Sequence, residues 1–323
     1  MKKLLSCLLF AIAQPFTSAV AQENTVLSTQ IYGYKGNMVH YDCVQTPLLA
    51  AEFYTNPGEE HLYKFTTDRL VCFLVNGKTK VLLSPGDSLH LNINYGNSKV
   101  PEASISGSEN AIKTNLVMQD IENLKRDMRY KAQLLACVAL DIKPDARIND
   151  SRTLLEKVKS MLAAAQLSEE AANYILSMTE SDAYLSFMEY PVMYASVRGT
   201  AIEQQEIGDY WSIMEGFSPR SDAASLSCPE YASLLMRYSM YMNEKSAIQK
   251  GDTYNAPTRL EDMYSELATF YTGPQRDFVL YTLLCNFIQQ GKEIERADAL
   301  YKDYKEKYNA DSRYIAVLDA ILQ

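Results

Sequence analysis

The sequence predicts an α+β protein: a signal peptide over 1–21, an antiparallel β-sandwich over 22–107 and an all-helical domain over 108–323. Three observations carry this prediction. Short apolar runs alternate with polar residues up to Ser106. Beyond Gly107 the apolar spacing lengthens to every third or fourth residue. Turn dipeptides punctuate the first part, and capping residues punctuate the second.

At the N-terminus, Lys2 and Lys3 precede the apolar run Leu4 to Ala13, and the small residues Ser18-Ala19-Val20-Ala21 follow. That order is the pattern of a secretory signal, with cleavage expected after Ala21. The run is too short to anchor the chain in a membrane, and Gln14-Pro15 interrupts it. A lipid anchor at Cys7 would leave only six residues for the apolar region. No later segment approaches eighteen consecutive apolar residues, so no transmembrane segment is expected after cleavage.

Extended segments are expected at Val26 to Tyr34, Met38 to Val44, Leu49 to Tyr54, His61 to Thr66, Arg69 to Val75, Thr79 to Ser84 and Ser88 to Tyr95. A last strand ends near Ser106. Lys35-Gly36-Asn37, Asn56-Pro57-Gly58, Asn76-Gly77 and Pro85-Gly86-Asp87 separate them. Asn-Gly is the strongest hairpin signal here, because both residues tolerate the positive φ of a type I′ turn. The run Leu89 to Tyr95 alternates cleanly, one face apolar and one polar. Seven or eight such strands predict a small antiparallel sandwich.

A long helix begins near Ser108, with Ile112, Leu116, Ile121, Leu124 and Met128 as its apolar stripe. Asn149-Asp150 is read as the cap of a second helix that turns Leu154, Leu155, Val158 and Leu162 inward. Ser168, followed by two glutamates, starts a third. Ser227-Cys228-Pro229-Glu230 has the form of a capping box, opening a helix with Tyr231, Leu234, Leu235, Tyr238 and Met242. Gly273-Pro274 opens a further helix that Gly291 closes, and two more cover Lys292 to Tyr308 and Asp311 to Leu322.

Hydrophobic residues make up 47% of the chain, enough for a full core. The formal charge is −9, and nearer −11 once Lys2 and Lys3 are removed. Nucleic acid and anionic lipid reward clustered Lys and Arg, so neither is an expected partner. Cys43, Cys72, Cys137, Cys228 and Cys285 are widely spaced, and no Cys-x-x-Cys occurs. Zinc and thiol-redox sites need close pairs, so no metal or cofactor is expected. One disulfide, Cys43–Cys72, is conceivable in an exported chain, and five small buried apolar thiols are the alternative.

Gly86-Asp87-Ser88-Leu89 matches the GDSL motif of an esterase family whose serine is the nucleophile. That chemistry needs a histidine base, and the only histidines, His40, His61 and His90, precede any C-terminal Asp-x-x-His. Ser88 is therefore expected to be a hairpin residue and not a hydrolase nucleophile. No catalytic, cofactor-binding or metal-binding residue is nominated. Of 23 tyrosines, the majority lie between Tyr174 and Tyr314, with Tyr301, Tyr304 and Tyr308 on one helical face. They line an aromatic groove or fill the boundary of a helical bundle. Trp211 marks a contact surface or plugs the space between two helices.

The stretch Val81 to Leu91 with its PGDSL core, then Ile105-Ser-Gly-Ser-Glu-Asn110 and Asn115, resembles the front part of exported TlpA-like thiol-disulfide oxidoreductases of Gram-negative bacteria. Pro85, Gly86, Asp87, Gly107 and Asn115 match that pattern. Arg276 to Leu280 and Tyr301 to Tyr304 look like the family's last helices before its thioredoxin domain. The resemblance implies a periplasmic location and a sandwich-plus-helices scaffold. The family's Trp-Cys-x-x-Cys motif is not encoded before Gln323, so the reductase activity is not carried over. The expected function is that of a non-catalytic exported binding or scaffold protein for a small ligand or periplasmic protein. The alternative is an accessory subunit of a separate thioredoxin-like reductase.

Overall fold

A computed structural model gives the structure of residues 24–44, 53–96, 102–131, 133–289, 294–308 and 311–322. The expected signal peptide at 1–21, with Cys7, lies outside these described residues, as does Gly291. The protein is α+β, with strands confined to the first part and helices to the second. The strands are β1 (Thr25–Tyr32), β2 (Val39–Cys43), β3 (Phe53–Thr55), β4 (Glu60–Phe65), β5 (Val71–Val75), β6 (Thr79–Leu83), β7 (Ser88–Asn94) and β8 (Glu102–Gly107). They form two four-stranded sheets, ordered β4-β1-β7-β8 and β3-β2-β5-β6.

The antiparallel expectation needs one correction. β1 runs parallel to β7, with Leu27 opposite Leu89 and Ile31 opposite Ile93, so the first sheet is mixed. The cause is the Pro85-Gly86-Asp87 turn. It is not a hairpin within one sheet, because β6 lies in the second sheet and β7 in the first. The turn is a corner that carries the chain across the sandwich. Asn76-Gly77, by contrast, joins β5 to β6 as a true hairpin, both residues taking positive φ.

Leu27, Ile31, Val39, Tyr41, Phe73, Val81, Leu89 and Ile93 fill the space between the sheets. At β5 and β6 the outer face of the second sheet is covered as well. Cys72 and Leu82, pointing outward from it, join the helical core with Met118, Tyr174 and Leu234. β5 accordingly reads as a continuous apolar run, VCFLV, with no alternation.

The helices are α1 (Glu109–Asp127), α2 (Leu134–Ala139), α3 (Pro144–Ala165), α4 (Glu169–Arg198), α5 (Pro229–Lys250), α6 (Leu260–Phe270), α7 (Gly273–Gln289), α8 (Ile294–Lys307) and α9 (Ser312–Ile321). Two expected caps are corrected. α3 opens at Pro144, a residue suited to a first helical turn, and Asn149-Asp150 sits inside it on the exposed side. The capping box at Ser227 does not form. Cys228 occupies the N-cap without a side-chain bond, and the Glu230 carboxylate turns away to the Lys80 ammonium of β6. Ser168 does cap α4, accepting from the Ala171 amide at 3.2 Å. Among the described residues, no helix is long and apolar enough to cross a membrane.

The joint between sandwich and helices is built from the corner. The Asp87 carboxylate accepts from the Ser84 amide at 2.8 Å, the Ser108 hydroxyl at 3.0 Å and the Asn110 side chain at 3.0 Å. It thereby ties the turn to the first residues of α1. One turn on, Asn115 acts like a strand residue. Its carboxamide accepts from the Leu82 amide at 2.9 Å and donates to the Leu82 carbonyl at 2.8 Å. β6 is the edge of its sheet, and Asn115 satisfies edge groups that would otherwise be buried unpaired.

Lys80 and Glu230 add an ion pair across the same joint. Burial pushes the Glu230 carboxyl up, but the Lys80 ammonium draws it further down, leaving it below its ordinary 4.5. A depressed carboxylate contributes stability above its unfolded value, and that contribution is lost as pH falls through the folded value. Replacing Glu230 with Gln should therefore flatten the acid side of the stability curve below about pH 4.5, read from urea midpoints across that range. Solvent screens the pair, the side chains being 32% and 40% exposed, so the effect is expected to be small.

Candidate functional site

The β4–β5 turn, one loop and the starts of three helices meet around a cleft of about 300 Å³. The sandwich contributes Arg69 and Leu70. Thr67 holds their turn, its hydroxyl donating to the Arg69 carbonyl at 2.9 Å and accepting from the Arg69 amide at 3.2 Å. Glu170, in the first turn of α4, reaches the Leu70 amide at 3.1 Å and so fixes helix to sandwich at the cleft edge. The segment Ser221 to Ser227 forms another wall. There Asp222 folds the loop by accepting from the Ser225 amide at 3.0 Å and its hydroxyl at 2.7 Å.

Pro274 and Asp277 enter from the start of α7, and Asp311, Arg313 and Tyr314 from the start of α9. Asp311 caps α9 through the Arg313 amide at 2.9 Å. The same carboxylate takes the Arg313 guanidinium in two further bonds, at 2.9 and 2.6 Å. That pairing holds the Asp311 carboxyl below its usual range. Burial, and then the positive charge of Arg313, push Arg69 below its ordinary value, while Asp68 and Asp311 act in the opposite sense. The cleft floor is firm: the Tyr304 hydroxyl donates to the Asp277 carbonyl at 3.1 Å, and Tyr281 stacks on Tyr314 at 4.4 Å. Leu70, Ala223, Leu226 and Pro274 supply the apolar surface between the charges. A larger, more open hollow lies on α5 and α6 around Asn243, Asp262 and Glu266.

The residues singled out from sequence lie elsewhere. Ser88 is exposed at the first position of β7. Its strand neighbour His90 is engaged with another residue, bonding the Ser28 hydroxyl through Nδ1 at 2.8 Å. That Ser28–His90 contact, with Glu60 3.2 Å from the same hydroxyl, was not anticipated. It gives no nucleophile. Ser28 is almost fully buried in mid-strand, and the amides around it are committed to the β1–β4 and β1–β7 ladders, leaving no donors for an oxyanion. Replacing Ser88 with Ala should leave stability within about 0.5 kcal/mol and any ester hydrolysis unchanged, checked by thermal unfolding and a nitrophenyl ester assay.

All five cysteines of the described residues are buried, and none of them is joined in a disulfide. Cys43 and Cys72 lie on neighbouring strands but face opposite ways, Cys43 into the sandwich and Cys72 toward the helices, so the conceivable disulfide is not formed. Burial pushes the Cys72 thiol up to about 12 and Cys285 to about 11, and raises Cys137 and Cys228 as well. Such thiols are poor nucleophiles. In the folded protein they should resist iodoacetamide, and after denaturation all five should react, as read by intact mass. A denatured chain alkylated at only three would reveal a disulfide and overturn this account.

Of the tyrosines between Tyr174 and Tyr314, Tyr314 lines the cleft, and others serve the helical bundle. Tyr190, Tyr210, Tyr241, Tyr271 and Tyr304 are buried, and each hydroxyl donates to a main-chain carbonyl of another segment. They pack the bundle and cross-tie it. Trp211 lies against Tyr210 and Tyr241, between its loop and α5. Among the described residues, no group of three or more His, Cys, Asp or Glu is placed to hold a metal ion.

The chain was compared with protein-family models, curated proteins and solved structures, and nothing matches it. The cleft therefore stands on its own geometry. Sequence reading missed all of its charged residues, which are drawn from positions 69 to 313. Only Asp311 carried a local signal, as the residue before the last helix.

Proposed function

We propose that this protein acts by binding, as an exported, non-catalytic receptor or scaffold whose ligand seat is the cleft between sandwich and helices. The observation that carries the reading is a concave site walled by both halves, with apolar surface between a few convergent charged groups. That is the usual composition of a small-molecule site, and its volume lies at the low end of the usual range of about 300–1,000 Å³. Two further facts support binding over chemistry. The thiols are buried, burial raising the pKa of Cys72, Cys137, Cys228 and Cys285, and His90, two residues from Ser88, bonds the Ser28 hydroxyl. Export rests on the Lys2 to Ala21 pattern. A TlpA-like lineage is part of the proposal too, supported by Asp87, Gly107 and Asn115 lying together at one structural joint.

The test uses the chain without residues 1–21 and a panel of small metabolites in a thermal-shift assay. Ala223 is exposed on the cleft wall, so Ala223→Trp blocks the space without disturbing the core. A ligand that raises Tm in the parent but not in Ala223→Trp supports the reading. Thiol-disulfide turnover above that of a cysteine-free variant would defeat it, as would shifts that Ala223→Trp leaves intact.

A further inference from the structure

We infer that β4 is the seam of a symmetric dimer, in which two copies of this chain pair antiparallel along their β4 edges with Leu62 opposite Leu62 and Glu60 opposite Lys64. The seam is independent of the cleft.

The hydrogen-bond ladder decides which main-chain groups of β4 are open. β4 is an edge strand, paired with β1 and, among the described residues, with no other strand. In β1, the Val26 amide donates to the Asp87 carbonyl at 2.8 Å, and the Tyr32 carbonyl accepts from the Tyr95 amide at 2.9 Å. The even-numbered residues of β1 therefore bond toward β7. Its odd-numbered residues bond toward β4, as Ile31 does in accepting from the Gly58 amide at 2.8 Å. Opposite Thr25, Leu27 and Thr29 stand Phe65, Tyr63 and His61, so these three spend their amides and carbonyls on β1. Glu60, Leu62 and Lys64 point theirs away from the sheet. Such a row is a template for a further strand.

The side chains select that strand. The outer face of β4 reads acid, apolar, base at alternate positions, all three exposed and Leu62 by 54%. At ~3.3 Å rise per residue, Glu60 and Lys64 of one strand are too far apart to pair with each other. The Glu60 carboxylate accepts from a neutral group, the Ser28 hydroxyl, at 3.2 Å. Among the described residues, neither Glu60 nor Lys64 has an ion-pair partner.

A second β4 turned end for end about Leu62 sets each Glu60 against the other copy's Lys64 and closes Leu62 on Leu62. Opposite charges and apolar pairs directly across a ladder are both favourable. The residues so matched are also those with outward main chains, so each pair can exchange both of its main-chain bonds. On the inner face, the half-buried His61 and Tyr63 come opposite each other, and the two sandwich cores become continuous. A slip of two residues would set Glu60 against Leu62 and leave Lys64 unmatched. The pairing is isologous and closed, so it stops at two copies. β4 is six residues long, a short seam beside a standard interface of roughly 1,600 Å². The dimer is therefore reversible and concentration-dependent.

The experiment is sedimentation velocity of the chain without residues 1–21, from micromolar concentration up to its solubility limit. The parent is expected to move from monomer toward dimer as concentration rises. Lys64→Glu and Glu60→Lys each place like charges opposite one another at both ends of the seam, and each should weaken dimerisation at least tenfold. An equimolar mixture of the two variants should dimerise again, because every acid of one copy then faces a base of the other. Both positions are exposed, and circular dichroism checks that each variant is folded. A parent that stays monomeric throughout would overturn the inference. So would a dimer that neither variant weakens, a mixture no better paired than its components, or a mass that grows past two copies.

Discussion

Gly107→Ala is expected to destabilise the protein by about 2–6 kcal/mol, one of the two largest effects foreseen. Gly107 ends β8 with φ +148°, a conformation that L side chains rarely adopt, and holding one there costs roughly 1–3 kcal/mol. A Cβ would also stand 2.0 Å from the Ser88 carbonyl oxygen and 2.9 Å from Leu89 Cα. Both are backbone atoms of the paired strand, so neither can swing aside, and forcing them apart costs on the order of another 1–3 kcal/mol. The same movement would pull the Ser88 carbonyl from the Ser108 amide, now at 2.7 Å, and loosen the entry to α1. Urea unfolding of the variant measures the loss. A change under 1 kcal/mol would mean that the corner yields where the packing says it is fixed.

Asn115→Leu should cost about 2–6 kcal/mol by another route. Leucine matches asparagine in its number of side-chain heavy atoms and favours helix, so propensity does not explain a loss. What disappears is the pair of bonds to Leu82, which leaves a buried amide and a buried carbonyl without partners at roughly 1–3 kcal/mol each. Amide exchange at Leu82 gives an independent reading, since its protection should fall well before global unfolding does. Asn115→Asp separates the two bonds, because a carboxylate can still accept from the amide but cannot donate to the carbonyl.

These two positions show what the sequence made legible and what it did not. Gly107 and Asn115 stood out only through a family resemblance, and the structure supplies the physical reason for residues of these types there: a close backbone approach and an edge strand that needs sealing. Asn76-Gly77 was readable because a type I′ turn is a local event with a local signature. Ser168 was readable for the same reason. The capping box at Ser227 failed because Lys80, far away in sequence, competes for the Glu230 side chain. The parallel β1–β7 pair was hidden because alternation fixes which face of a strand is buried, not which strand lies beside it. α6 escaped although Leu260, Tyr264 and Leu267 repeat at helical spacing, since Arg259 at its N-cap makes no side-chain bond. The cleft was the least legible feature. Its charged residues have no common motif, and only the folded chain brings a sandwich turn beside the starts of α4, α7 and α9.

The parallel pairing also bears on how the chain acquires its shape during synthesis. β1, at the start of the described chain, is a central strand whose two neighbours, β4 and β7, come later, Ser28 meeting His90 across 62 positions. A ribosome therefore delivers this strand long before its second partner, and one edge of β1 stays unpaired until residue 94 has emerged. Strand pairing over that distance is slow compared with helix formation. The nascent N-terminal segment is thus the part of this molecule that would most benefit from a chaperone's protection.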